Sequence, residues 1–265
     1  PEAEAVGYAD ALALYLAFCG SKLADLGNSL CRWEPNAECP RQLFGRQAIS
    51  MIWDYAEGNP IGERSGSYGV ILTGLAAALD APVTTPMGLS GRSSQASAGD
   101  ASYEGHVVST DPPYYDNIGY ADLSDFFYVW LRRSIGRFYP DLTATVLTPK
   151  AEELVATPYR FGGSKAKAEE HFERGFVQTF ARIRAGHVPG VPLTIFYAFK
   201  QAESDGGGTA STGWETMLQG LIEAGLLVTG TWPIQTENSS RMRGQLSNAL
   251  ASSVVLACRP RPEHA

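Results

Sequence analysis

Cysteine, positive charge and long apolar runs are all scarce in this chain of 265 residues. Its four cysteines are Cys19, Cys31, Cys39 and Cys258, and none forms a Cys-x-x-Cys pair. Cys31 and Cys39 have no histidine close by, so the ligand spacing of a structural zinc site is missing. The expectation is no metal and four reduced thiols, as in a cytoplasmic protein. No apolar run reaches the roughly 18 residues of a membrane span, so no membrane partner is expected. The opening Pro1-Glu2-Ala3-Glu4 is acidic, the reverse of the basic start of a signal peptide. Lysine and arginine number 21 against 28 acidic residues, a formal net charge of -7. That excludes a protein that coats nucleic acid by overall charge, though not one with a local basic face. His106, His171, His187 and His264 are scattered, with no partner arranged for hydrolase chemistry. What the chain does have is apolar material: 44% hydrophobic residues, with 18% charged, supply a real core and exclude a disordered tail.

Residues 1–82 read as a helical N-terminal segment, and residues 83–265 as an α/β region. Tyr8, Leu12, Tyr15, Leu16, Cys19, Leu23 and Leu26 recur at helical spacing, stopped by Gly27-Asn28. Phe44, Ala48, Met51, Ile52 and Tyr55 make a second stripe, and Tyr68, Leu72, Leu75 and Leu79 a third. Each stripe, like Trp33 and Trp53, is read as core. The run His106–Thr110 is β-branched and short, and ends in Asp111-Pro112-Pro113. Leu123, Phe126, Phe127, Trp130 and Leu131 then fill one helical face. A further helix is expected over 164–184, and a buried strand over 191–199. Thr212 and Glu215 have capping-box spacing before another helix, which Gly225 ends. Two last strands, 226–234 and 252–257, have no helix between them and should pair antiparallel. The order is that of an open α/β sheet with helices on both faces of its parallel strands, and ligands in such sheets sit at strand carboxyl ends. Asp111 stands at one.

Two prolines after a strand lock the backbone and supply no amide hydrogens, so the ladder cannot continue. What remains is a rigid turn with a carboxylate, the Pro112 carbonyl and an aromatic ring. That set suits an aromatic amine. Its nitrogen is a poor nucleophile because the lone pair is delocalised into the ring. If the Asp111 carboxylate accepts one amine hydrogen and the Pro112 carbonyl the other, the nitrogen becomes pyramidal and the lone pair is exposed. Tyr114 can stack on the base, a contact of about 1–3 kcal/mol. A base paired in a duplex has to be flipped out to reach such a turn.

Asp111-Pro112-Pro113-Tyr114 after a strand resembles the signature of the N6-adenine DNA methyltransferases. The longer stretch Thr110–Asn117, with Tyr120–Arg133, Cys31–Pro35, Trp53–Glu57 and Ser252–Leu256, is similar to a group of large prokaryotic adenine-specific DNA methylases that carry a domain of unknown function. The resemblance implies a Rossmann-like, S-adenosylmethionine-dependent methyltransferase sheet, here its second half with a terminal antiparallel strand pair. It implies S-adenosylmethionine as cofactor and a flipped adenine of DNA as partner. Asp111, Pro112, Pro113 and Tyr114 become the catalytic set. Asp100 resembles the acidic position facing the cofactor. Tyr115, Asn117, Arg241 and Arg243 are the candidate nucleic-acid contacts, whereas Arg132, Arg133 and Arg137 are read as a solvated helix face.

One part of that pattern is missing. The glycine-rich cofactor loop expected after a first strand has no counterpart: Gly66-Ser67-Tyr68-Gly69 and Gly162-Gly163 follow no strand, and Gly206-Gly207-Gly208 is set well apart from Phe199. With a first residue that is not methionine, this leads to the expectation of a C-terminal piece that needs an upstream part of a longer polypeptide. Two other readings stay open. One is an RNA amino-methyltransferase, and the other a non-catalytic nucleic-acid-binding or assembly module derived from a methyltransferase.

Overall fold

The computed structural model describes residues 2–45, 48–49, 51–80, 91–115, 118–199, 212–234 and 252–262. The chain divides into two compact units, and it crosses between them more than once. Unit 1 is Pro1–Arg92 with Tyr120–Ala151, and unit 2 is Ser93–Gly119 with Glu152–Ala265. The single boundary expected at residue 82 is therefore corrected. The helix that follows the Asp-Pro-Pro-Tyr turn belongs to unit 1, because it packs on the N-terminal helix.

Unit 1 is built on α1 (Glu2–Leu26), a two-residue hairpin of β1 (Trp33–Glu34) and β2 (Cys39–Pro40), α2 (Tyr68–Asp80) and α3 (Tyr120–Ile135). Helix α1 stops where the sequence said it would. The Gly27 amide donates to the Leu23 carbonyl at 2.7 Å, and the Asn28 side chain donates to the Ala24 carbonyl at 2.8 Å, so side chain and turn satisfy the last carbonyls. Phe44 meets Phe126 and Phe127 of α3 edge-on. The Asp125 carboxylate ties the end of the unit to α3: it accepts from the Thr148 amide at 2.9 Å, from the Thr148 hydroxyl and from Lys150 at 2.7 Å. Burial alone would raise this carboxyl, but the hydrogen bonds from Lys150 and Thr148 hold it below the usual aspartate range.

Two expectations for unit 1 are corrected. No helix forms over the described residues between Phe44 and Gly58. A stripe stabilises a helix only when its apolar face is covered, and here Met51 is 73% and Trp53 90% exposed. Trp33 and Trp53 are accordingly surface residues. Helix α2 does form, yet it holds no buried residue.

Unit 2 contains β3 (Ser109–Thr110), α4 (Lys165–Gly186), β4 (Leu193–Phe199), α5 (Thr212–Glu223), β5 (Leu226–Ile234) and β6 (Ser252–Pro260), with a 3-10 turn at Pro158–Phe161. Its sheet is mixed, in the order β3-β4-β6-β5. Strand β3 pairs parallel to β4, and β6 runs antiparallel to both β4 and β5. The last strand thus lies inside the sheet. Val254–Cys258 is apolar on both sides of its pleat, as a central strand requires.

Leu193, Ile195 and Tyr197 alternate along β4 and point at one face. Phe172, Phe176, Phe180 and Ile183 of α4 cover that face, with Met217 and Leu221 of α5, closing one hydrophobic core. Each of these side chains contributes about 1.5–3 kcal/mol by leaving water. Ser164 caps α4, its hydroxyl accepting from the Lys167 amide, and Gly225 ends the α5 turn at φ +76. The expectation of helices on both faces is corrected among the described residues. Both α4 and α5 share one core, and the opposite pleat shows Phe196 and Trp232 exposed. The protein is thus an α/β chain with a mixed four-stranded sheet and, among the described residues, five α-helices. None of those helices is long and apolar enough to cross a membrane.

Candidate functional site

The site grows from the end of β3. Thr194 of β4 donates its amide to the Val108 carbonyl at 3.1 Å, and its hydroxyl bonds to the Ser109 hydroxyl at 2.9 Å. Ser109 and Thr110 pair with Thr194 and Ile195 in parallel register. Then the two prolines end the ladder, as a missing amide must. Pro112 is buried, which anchors the turn, while Asp111 is exposed. The carboxylate therefore stands at the carboxyl end of a parallel strand on a rigid base.

Behind the turn is a cavity of about 210 Å³. Val108, Leu154, Phe176, Phe180 and Ile183 give it apolar walls, and Ser109 to Pro113 form the strand side. Small-molecule sites commonly run about 300–1,000 Å³, so this one has room for a flat ring rather than a whole nucleotide cofactor. Tyr103 also lines it, donating its hydroxyl to the Ala98 carbonyl at 2.8 Å. Burial pushes that phenol up, and the Arg182 charge partly offsets the effect.

Tyr114 does not stand free in this arrangement. Its hydroxyl donates to the Asp111 carboxylate at 3.0 Å, and its ring meets Tyr197 edge-on, centroids 5.2 Å apart. Tyr197 is held in turn by its hydroxyl on the Gly213 carbonyl and by Trp214 at 5.7 Å. An aromatic relay so runs from the motif across β4 to the start of α5.

The other expected residues divide sharply. Tyr115, expected at nucleic acid, is buried: its hydroxyl donates to Glu169 at 2.8 Å and its ring packs edge-on against Phe172. It is a core residue, and Tyr114 beside it packs on the same hydrophobic cluster. Asp100 sits in an exposed turn, its amide bonded to the Ser97 carbonyl, and it does not line the cavity. Asn117, Arg241, Arg243 and the run Gly206–Gly208 lie outside the described residues. Arg132 donates to the Thr143 carbonyl and Arg137 pairs with Asp10 at 3.3 Å, both within unit 1. Among the described residues no cluster of three or more His, Cys, Asp or Glu side chains forms a metal site.

Three residues escaped the sequence reading: Tyr197, Glu169 and His187. Tyr197 reads as one more apolar letter of a strand, and Glu169 as one more charge on a helix. His187 carries a faint signal, a lone histidine directly after the helix-ending Gly186. No protein-family model matches this chain, no curated protein matches its sequence, and no solved structure matches its fold.

Proposed function

We propose that unit 2 carries the acceptor side of an amino-methyltransferase, and that its substrate is the exocyclic N6 amine of adenine in DNA. One observation supports this above the rest: Asp111, Pro112 and Pro113 follow a parallel strand and line an apolar cavity sized for one ring, with Tyr114 next in the chain. The strand order supports it too, since the resemblance implies a Rossmann-like sheet closing in an antiparallel pair, and β5 and β6 pair that way.

In this reading the adenine ring enters between the apolar walls and Tyr114. The amine donates one hydrogen to Asp111 and one to the Pro112 carbonyl. The Asp111 carboxylate accepts from the Tyr114 hydroxyl through one oxygen, Oδ1, and in this reading the hydroxyl gives up that contact as the base enters. Tyr114 is then released to lie on the base. Asp111 acts by orienting the nitrogen lone pair and holding a developing positive charge, and needs no unusual basicity.

S-adenosylmethionine is the methyl donor the resemblance implies. The described residues offer it no cradle: no described glycine-rich loop follows a strand, Asp100 does not line the cavity, and Ser67 of Gly66–Gly69 is fully buried. They supply the acceptor side alone. That same observation favours a second reading, a non-catalytic nucleic-acid-binding or assembly module derived from a methyltransferase.

Methyl transfer to adenine-containing DNA by the full-length wild-type protein and by its Asp111→Ala variant separates the two. The enzyme reading expects transfer by the wild type, a loss of at least about 100-fold in the variant, and DNA affinity changed little. Equal transfer by both removes Asp111 from the mechanism. DNA binding without any transfer, and without calorimetric binding of S-adenosylmethionine, supports the module instead.

A further inference from the structure

The strand that leads into Asp111 is only two residues long and pairs on one side with β4. So short a strand holds a side chain in place only if something fixes its near end. His187 does this. It lies 79 residues away in sequence and is 6% exposed. Its backbone closes α4, the amide donating to the Ile183 carbonyl at 2.8 Å. Its ring then takes two bonds. The Val108 amide donates to Nδ1 at 3.3 Å, and Nε2 meets the Val191 carbonyl at 2.7 Å.

Those two partners settle the tautomer. An amide N–H only donates, so Nδ1 carries no hydrogen. A carbonyl only accepts, so Nε2 carries one. The ring is neutral and both nitrogens are satisfied. Around it the backbone is stitched as well: Gly105 donates to the Gly186 carbonyl and Val188 to the His106 carbonyl, both at 3.0 Å. The Val108 carbonyl bonds to the Thr194 amide of β4 while the Val108 amide bonds to the imidazole. The histidine ring thus serves as one more rung of the β3–β4 ladder, placed three residues before Asp111.

We propose that His187 is a positioning residue for Asp111: it holds the register of β3 through the Val108 amide, so that the carboxylate stands at the cavity mouth. The kinetic part of this inference rests on the methyl-transfer reading, whereas its structural part does not. Misplacing a reacting group by about 1 Å can cost on the order of 100-fold in rate, so one lost rung this close to the motif matters.

The test uses the full chain with His187→Leu and His187→Gln. Leucine fills the space and removes both bonds. Glutamine can restore an acceptor for Val108 and a donor for Val191. Amide exchange by NMR should rise at least about tenfold at Val108 in the leucine variant, with Leu256 in the middle of the sheet unchanged, and return toward wild type with glutamine. Methyl transfer should lose at least about tenfold in kcat with leucine, with KM for DNA held within about twofold, and glutamine should recover most of it. Unchanged Val108 exchange in the leucine variant, or a glutamine variant no better than leucine, overturns the proposal. If the leucine variant does not fold, ring nitrogen shifts of the wild-type histidine decide: a bare Nδ1 with a protonated Nε2 supports it, and the opposite tautomer sinks it. If the wild type transfers no methyl group, the functional reading fails, and the exchange data still decide the role of His187.

Discussion

Helices α2 and α4 show how differently the two units treat apolar residues. Both have apolar positions at helical spacing. In α4 these positions meet a sheet, and Phe172, Phe176, Phe180 and Ile183 are each at most 2% exposed. In α2 nothing is buried, and Val70, Leu72 and Leu79 are all exposed. The same holds for Met51 and Trp53, against Leu193 and Ile195. Periodicity in a sequence encodes a face. It does not supply the surface that covers the face, and only covered area contributes to stability.

That contrast can be broken most directly at single side chains. Phe176→Ala should destabilise unit 2 by about 3–5 kcal/mol, because it opens a void among close-packed rings. Val70→Ala in α2 should stay within about 0.5 kcal/mol. Urea unfolding of both variants checks the pair, and similar losses would mean that α2 is covered after all.

Glycines give opposite signs. A Cβ on Gly186 would meet the Tyr103 carbonyl carbon at 2.7 Å and the Glu104 amide nitrogen at 2.8 Å, so Gly186→Ala should cost about 1–3 kcal/mol. Gly74 has nothing within 4 Å of such a Cβ and lies mid-helix, so Gly74→Ala should stabilise by about 0.5–1 kcal/mol. The shift in thermal midpoint should be downward for the first and upward for the second.

Acid should act on unit 1 through Asp125. Its carboxyl is held below the usual aspartate range in the folded state. Its contribution is therefore fully present above the ordinary value of about 3.9 and is lost as pH falls through the lower folded value. Asp125→Asn should flatten the stability profile below about pH 4. A profile identical to wild type there would remove Asp125 as a source of acid sensitivity.

The smallest effect concerns thiols. Cys19, Cys31 and Cys258 are buried, and burial pushes Cys258 up to about 11, which keeps it protonated and inert at neutral pH. Cys39 alone is half-buried. One thiol should react rapidly with a disulfide reagent under native conditions, and Cys39→Ser should abolish that phase. A fast phase that survives would mean that one of the buried thiols is accessible.

Unit 2 was largely legible beforehand, and unit 1 less so. Strand 191–199, helix 164–184 and the last two strands follow from runs and caps that act locally, and α4, β4, β5 and β6 form at those places. The motif at Asp111 was legible for the same reason, since two prolines dictate a turn wherever they stand. The second stripe, Phe44 to Tyr55, failed because helix formation there needed a covering surface, and among the described residues Met51 and Trp53 stay exposed. The core placement of Tyr115 was hidden because period-two alternation breaks down across a Pro-Pro turn.

By itself, then, the sequence determined what backbone chemistry imposes at short range: where ladders stop, where helices cap, and that a carboxylate, a carbonyl and a ring share one rigid turn. Tertiary structure alone decided the insertion of β6 between β4 and β5, the Tyr114–Tyr197–Trp214 relay and the hold of His187 on Val108. Each of these joins residues far apart along the chain. Their partners are chosen by packing and by the need to satisfy buried polar groups, and no local pattern records that choice.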